Sequence, residues 1–195
     1  MSDWNTRQTL IQRLSDKYDE KSWESFVHFY RPFIYMIIRK MELNHHDADE
    51  IVQQITLKAW KSLPEMKYQP EKGRFRSWLG RMAHNCALDY LKSRQRYSNK
   101  LENFKGTDIS AITEPEMDEL AKAEWETYLT SLAWKNIEKS FSENVKKTFE
   151  LSLAGRSTEE VCEELGIKDQ SVYVYKKRVK ERLIEEIKRL KYELE

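Results

Sequence analysis

The sequence predicts an all-α protein, with two small helical domains joined by a flexible linker. Three observations carry that expectation. Only five Gly and four Pro punctuate 195 residues, and period-two runs of β-branched residues, the mark of strands, are nearly absent. Apolar residues instead recur at helical spacing along most of the chain. The net charge of +1 also hides three blocks: residues 1–98 hold 17 Lys and Arg against 12 Asp and Glu, residues 99–124 hold 3 against 7, and residues 125–195 hold 14 of each. A basic domain (1–98), an acidic connector (99–124) and a mixed domain (125–195) follow.

Composition excludes several classes. At 39% hydrophobic and 34% charged the chain can bury real cores. No run approaches the roughly 18–20 apolar residues that span a bilayer, and the start "MSDWNTRQTL" lacks the apolar region of a signal peptide. The expectation is a cytoplasmic chain with no membrane segment. Cys86 and Cys162 form no CxxC spacing and default to small packing residues. His45 and His46 beside Asp47 and Asp49 match no metal-ligand spacing, and no base, nucleophile or phosphate loop accompanies them. No metal, cofactor or catalytic residue is expected.

The first helices lie before Asp19 and across "KSWESFVHFYRPFIYMIIRKMEL", where Phe26, Phe29, Phe33 and Ile37 keep helical spacing and Pro32 is expected to kink or divide the run. "DADEIVQQITLKAWKSL" follows. Asp47 with Glu50 resembles a capping box, the apolar stripe is Ala48, Ile51, Val52, Ile55, Ala59, Trp60 and Leu63, and the opposite face carries Asp49, Glu50, Gln53, Gln54 and Lys61. "PEMKYQPEKG" then breaks the helix.

"GRFRSWLGRMAHNCALDYLKSRQR", residues 73–96, begins another. Leu79, Met82, Ala83, Cys86, Tyr90 and Leu91 make one face. Arg81, His84, Asn85, Leu88 and Lys92 project from a second, with Arg74 and Arg76 at its head. Cations track a nucleic-acid backbone, and aromatics beside them stack on unpaired bases; Trp78 fits either a core position or such a platform.

Residues 99–124 have weak periodicity and an acid excess, the composition of a linker. Beyond them, Trp125, Leu129 and Leu132 start a second helical set, continued by Val145, Phe149 and Leu153 up to Gly155. "RSTEEVCEELGIKDQSVYVYKKRVKERL" has the layout of a helix-turn-helix. Ser157 and Glu160 form an S-x-x-E cap, Val161 and Leu165 face inward, and Gly166 supplies the positive φ that ends the short helix. Val172, Tyr175 and Val179 anchor the second helix. Its outward face carries Ser171, Tyr173, Val174, Lys177 and Arg178, then Lys180 and Arg182, groups that reach base edges and phosphates in a major groove.

These three motifs, in this order and at this separation, resemble a bacterial sigma-70-family RNA polymerase sigma factor of the extracytoplasmic-function (ECF) group. The resemblance implies a sigma region 2 bundle in the first domain and a sigma region 4 helix-turn-helix in the second. By the same resemblance, Asp49, Glu50, Gln53 and Gln54 bind core RNA polymerase at the β′ clamp coiled coil, and the second domain reaches the β flap. Arg74, Arg76, Trp78, Arg81, His84 and Asn85 would meet the opened minus-10 strand of promoter DNA, with a flipped base taken by "PEMKYQPEKGRFR". Ser171, Tyr173, Val174, Lys177 and Arg178 would read the minus-35 element. Many relatives are also held by an anti-sigma factor. Tyr173, Val174 and Tyr175 replace a Lys-Ser-Arg run common in the family, so its minus-35 preference does not transfer. The rival reading, a helix-turn-helix regulator that acts without replacing the polymerase sigma subunit, leaves "DADEIVQQ" and the basic aromatic helix without a purpose.

Overall fold

The structure is a computed structural model that describes residues 10–16, 18–41, 43–65, 75–98 and 113–194. Every regular element among the described residues is a helix. Arg74, most of "PEMKYQPEKGRFR" and the connector stretch 99–112 lie outside them. The chain divides into a first unit within residues 1–126 and a second within 127–193.

The first unit opens with α1 (Leu10–Arg13) and α2 (Glu20–Lys40). Asp19 caps α2: its carboxylate accepts from the Ser22 amide at 3.0 Å and the Ser22 hydroxyl at 2.5 Å, and these bonds hold its pKa below the usual carboxylate value. Of the kink or division expected at Pro32, the division does not occur: the helix is continuous from Glu20 to Lys40. Pro32 deprives only the carbonyl four residues back, and both Pro32 and His28 are exposed, where water can serve that carbonyl. The buried face of α2 carries an aromatic core. Phe26 stacks on Tyr30 at 5.1 Å, Phe75 meets Tyr30 edge-on at 5.2 Å, and Trp125 lies parallel to Tyr30 at 5.3 Å and edge-on to Phe33 at 4.9 Å. Each such pair contributes about 0.5–1.5 kcal/mol beyond area burial.

Helix α3 (His45–Ser62) is capped by Asn44, whose side-chain oxygen accepts from the Asp47 amide at 2.9 Å. The cap is therefore three residues earlier than the sequence pattern of Asp47 with Glu50 suggested, and Asp47 is a residue of the first turn. Helix α4 (Phe75–Ser98) follows, then α5 (Glu114–Ile137).

The first half of α5 belongs to the first unit, although the sequence assigns residues up to 124 to the connector. Met117, Ala121 and Trp125, spaced four apart, are all 1% exposed or less. One apolar residue per turn suffices to pack a helix whose other positions carry the acids. The start is also specified: the Glu116 carboxylate accepts from the Thr113 amide at 2.7 Å and hydroxyl at 2.8 Å, and this lowers its pKa. "TEPE" is thus a capping sequence inside what composition alone reads as linker.

The second unit takes the rest of α5, a 3-10 turn at Glu138–Ser140, α6 (Glu143–Leu153), α7 (Thr158–Leu165) and α8 (Asp169–Leu194). Ile137, Phe141, Val145 and Val179 form its buried centre, with Trp134, Phe149, Tyr175 and Leu183 packed around them. Leu153 departs from the expected stripe and is 73% exposed. It is the last residue of α6, beyond the turn that faces the cluster.

Gly80, on α4, packs closely against α5: a Cβ there would stand 2.8 Å from the Ala121 Cβ. In an open helix Gly→Ala gains up to about 1 kcal/mol. Gly80→Ala should instead lower the thermal midpoint, through overpacking that costs about 1–3 kcal/mol, and Ala121→Gly in the same chain should recover most of the loss. A circular-dichroism melt in which Gly80→Ala is stabilising would rule out the close packing.

Candidate functional site

Helix α3 separates two faces by its period. Ala48, Ile51, Val52, Ile55 and Ala59 are fully buried, which leaves Asp49, Glu50, Gln53 and Gln54 exposed. Asp49 forms an exposed ion pair with Arg31 of α2 at 3.7 Å, and Gln54 donates to Glu50 at 3.4 Å. Gln53 lines a shallow groove of about 460 Å³ with Val27, Arg31, Thr56, Leu57 and Trp60. Three of those residues are large apolar groups in contact with water: Val27 is 38%, Leu57 52% and Trp60 48% exposed. The sequence expectation placed Trp60 in the core. Ala59 already takes the core position on that turn, and the next residue is rotated about 100° away from it. Sequence reasoning does not single out Leu57 or Val27, though Gln53, Leu57 and Trp60 keep the i, i+4, i+7 spacing of one face.

Asp47 joins α3 to α4. Its carboxylate, in a residue only 7% exposed, accepts from Tyr90 Oη at 2.8 Å, from Asn44 Nδ2 at 2.8 Å and from the Arg94 guanidinium. A carboxylate so placed needs those donors, because an unpaired buried charge is costly. In return, burial first, then the hydrogen bond to Asp47 and its charge, push the Tyr90 hydroxyl up to about 12.

The α4 residues expected to meet DNA do not share one environment. Trp78, Arg81 and Asn85 lie on one stripe at i, i+3, i+7. Asn85 is exposed and Trp78 half-buried, the latter with its ring 5.3 Å from Phe75. Arg81 is shared with Asp118 of α5 at 3.3 Å. His84 is half-buried at the edge of the stripe. Arg76 departs from its expected place, being 6% exposed. It precedes Leu79 by three and Ala83 by seven residues, both of them fully buried, so helical rotation carries it to the packed face.

In the second unit, local signals set α7 and α8. Ser157 accepts from the Glu160 amide at 3.2 Å while Glu160 accepts from the Ser157 amide at 2.8 Å, a complete capping box. Gly166 ends α7 at φ +63°, and Cys162 donates to Asp169 at 3.1 Å. That hydrogen bond, with burial second, pushes the Cys162 thiol up to about 11. Val172 and Val179 are buried, which fixes the roll of α8 and turns Tyr173, Val174, Lys177 and Arg178 outward, with Ser171 half-buried. Lys177 approaches Glu181 at 4.0 Å, and the Arg178 guanidinium lies 5.9 Å over the Phe141 ring. Gln170, exposed one turn before Tyr173 and Val174, is absent from the residues that sequence reasoning selects, although the same spacing includes it.

The family model described as sigma-70 region 2 matches residues 26–97. These residues are a sigma-70 region 2. The region spans α2, α3 and α4, and so contains the exposed α3 face, the Asp47 network and the Trp78 stripe. The chain is also 28% identical over 95 residues to "ECF RNA polymerase sigma factor SigE" of Mycolicibacterium smegmatis, an alignment covering 49% of this chain and 35% of that protein. The chain therefore spans about a third of the length of that relative. Both similarities lie with the sigma-70 family, the first over residues 26–97 and the second to a relative that is itself named an ECF sigma factor. No helix among the described residues is long and apolar enough to cross a membrane.

The Asp47 network within region 2 makes a pH-dependent prediction. Tyr90 keeps its proton to about pH 12 when folded, against about 10 when unfolded. The stability this contributes is whole below about pH 10 and is lost as pH rises towards 12. Tyr90→Phe should cost about 1 kcal/mol at pH 8, and the gap between variant and wild type in denaturant titrations should close over that alkaline window. A gap that stays constant to pH 12 would mean the hydroxyl does not sense Asp47.

Proposed function

We propose that this protein is an ECF-type sigma factor: it binds core RNA polymerase, directs it to promoters and takes part in opening them. The observation that carries the reading is the pairing, in one chain, of a sigma-70 region 2 with a capped helix-turn-helix whose second helix is exposed and cationic. In this reading Asp49, Glu50, Gln53 and Gln54 bind the β′ clamp coiled coil, with Leu57 and Trp60 extending the same face. The exposed polar and apolar groups of α3 support it, because region 2 folds without using them. Unit 2 serves as region 4, takes the β flap and reads the minus-35 element through α8. Its remaining partner class is an anti-sigma factor.

Arg81, Trp78, His84 and Asn85 serve the opened minus-10 strand, with Arg74 before them. Arg76 acts from beneath that surface, holding α4 rather than touching DNA.

Adding the protein to sigma-free core polymerase and a promoter library tests the reading against a regulator that works beside another sigma subunit: specific initiation selects the first. Reversing charge at Asp49 together with Gln53→Ala should abolish co-purification with core while helical content is unchanged. Retained association would remove the clamp assignment.

The second unit carries a separate expectation. Lys177→Ala should weaken promoter binding and make it less salt-dependent, lowering the slope of log K against log salt by about 0.9 for the one phosphate it no longer neutralises. An unchanged slope would take Lys177 off the DNA backbone.

A further inference from the structure

The first two turns of α8 hold a combination that folding does not explain. Tyr173 is 71% and Val174 50% exposed, adjacent on a helix whose opposite side is fixed by Val172 at 1% and Val179 at 0%. The helix cannot roll to bury them without expelling those valines. Around the pair, Lys168, Lys176, Lys177, Arg178 and Lys180 are exposed, against Asp169 and Glu181, so the apolar spot is ringed by an excess of cations. Held exposed by the roll of α8, the pair is available for a contact, and the cationic ring around it favours an anionic partner.

Valine has no donor or acceptor and can read none of the hydrogen-bonding pattern of a base pair. The one apolar group that B-form DNA displays in its major groove is the thymine C5-methyl. We propose that Val174, with the ring of Tyr173, reads thymine methyl groups at the upstream promoter element. Gln170, exposed one turn earlier on the same stripe, carries the amide that pairs bidentately with adenine, and Lys177 one turn later holds the phosphate. Arg178, lying over Phe141, braces the helix and leaves base reading to this stripe. The element is accordingly rich in A·T pairs at the positions under the first two turns of α8. The proposal rests on the reading of unit 2 as a DNA-reading domain and adds to it the chemical group that is recognised.

Deoxyuridine lacks only the methyl group and keeps every hydrogen-bonding atom of thymidine, which makes the test direct. Holoenzyme reconstituted from the full chain and core polymerase selects duplexes from a library randomised over the upstream element. Each thymine of the recovered sequence is then replaced in turn by deoxyuridine. Replacement at one or two positions should weaken binding about fourfold, the equivalent of one buried methyl at roughly 0.8 kcal/mol. Val174→Ala holoenzyme should bind the thymine and uracil duplexes equally. Lys177→Ala, which acts on the backbone, should still distinguish them.

Uracil duplexes that bind as well as thymine duplexes, while Lys177→Ala still flattens the salt dependence, would overturn methyl reading and leave DNA reading by unit 2 in place. A library that returns no preference, with Lys177→Ala silent as well, would overturn both. Loss of core association in Val174→Ala would also overturn the proposal, by making the apolar pair a protein contact.

Discussion

One buried carboxylate governs what the first unit can present. Asp47 has three donors from two directions, Asn44 at its own helix start and Tyr90 with Arg94 on α4. Because the charge must keep all of them, α3 and α4 are fixed against each other at the end where α3 begins. The face of α3 that bears Gln53, Leu57 and Trp60 and the stripe of α4 that bears Trp78, Arg81 and Asn85 are therefore set by one electrostatic contact, and neither helix can roll without exposing an unpaired charge.

The second unit reaches the same end with apolar packing. Val179 and the cluster around Ile137, Phe141 and Val145 hold α8 from one side, while the capped start of α7 and the left-handed Gly166 define where the next helix begins. Cohesion here is non-directional, so the exposed side of α8 is free to vary in chemistry without disturbing the fold.

The readable parts of the sequence are those in which a local rule and the tertiary outcome agree. Ser157 with Glu160, Gly166, and the spacing of Val161, Val172 and Val179 each have one physical meaning, and the match to sigma-70 region 2 contains two of the three ordered motifs, at residues 47–60 and 73–96. Departures come where two rules compete. Asn44 and Asp47 are both good caps, and only the donors on α4, distant in sequence, decide that Asp47 is wanted elsewhere. Residue type alone places Trp60 in the core and Arg76 on the DNA-facing side, whereas a rotation of one residue reverses which side of a helix each occupies. Charge alone makes residues 114–124 a linker, although a Thr-x-x-Glu cap and one apolar residue per turn are already present. The groove at Val27 is out of reach because it joins two helices that only the folded chain brings together.

The hydrogen bond from Cys162 to Asp169 has a practical consequence. A thiol with a pKa near 11 is ionised in only about one molecule in ten thousand at pH 7, and the thiolate is the nucleophile. The other cysteine, Cys86, is buried. Alkylating dyes will therefore react slowly with the natural chain. A cysteine introduced by Val174→Cys, exposed among cations, would take the label first, so a single fluorophore or spin probe can be set on α8 without removing either natural cysteine.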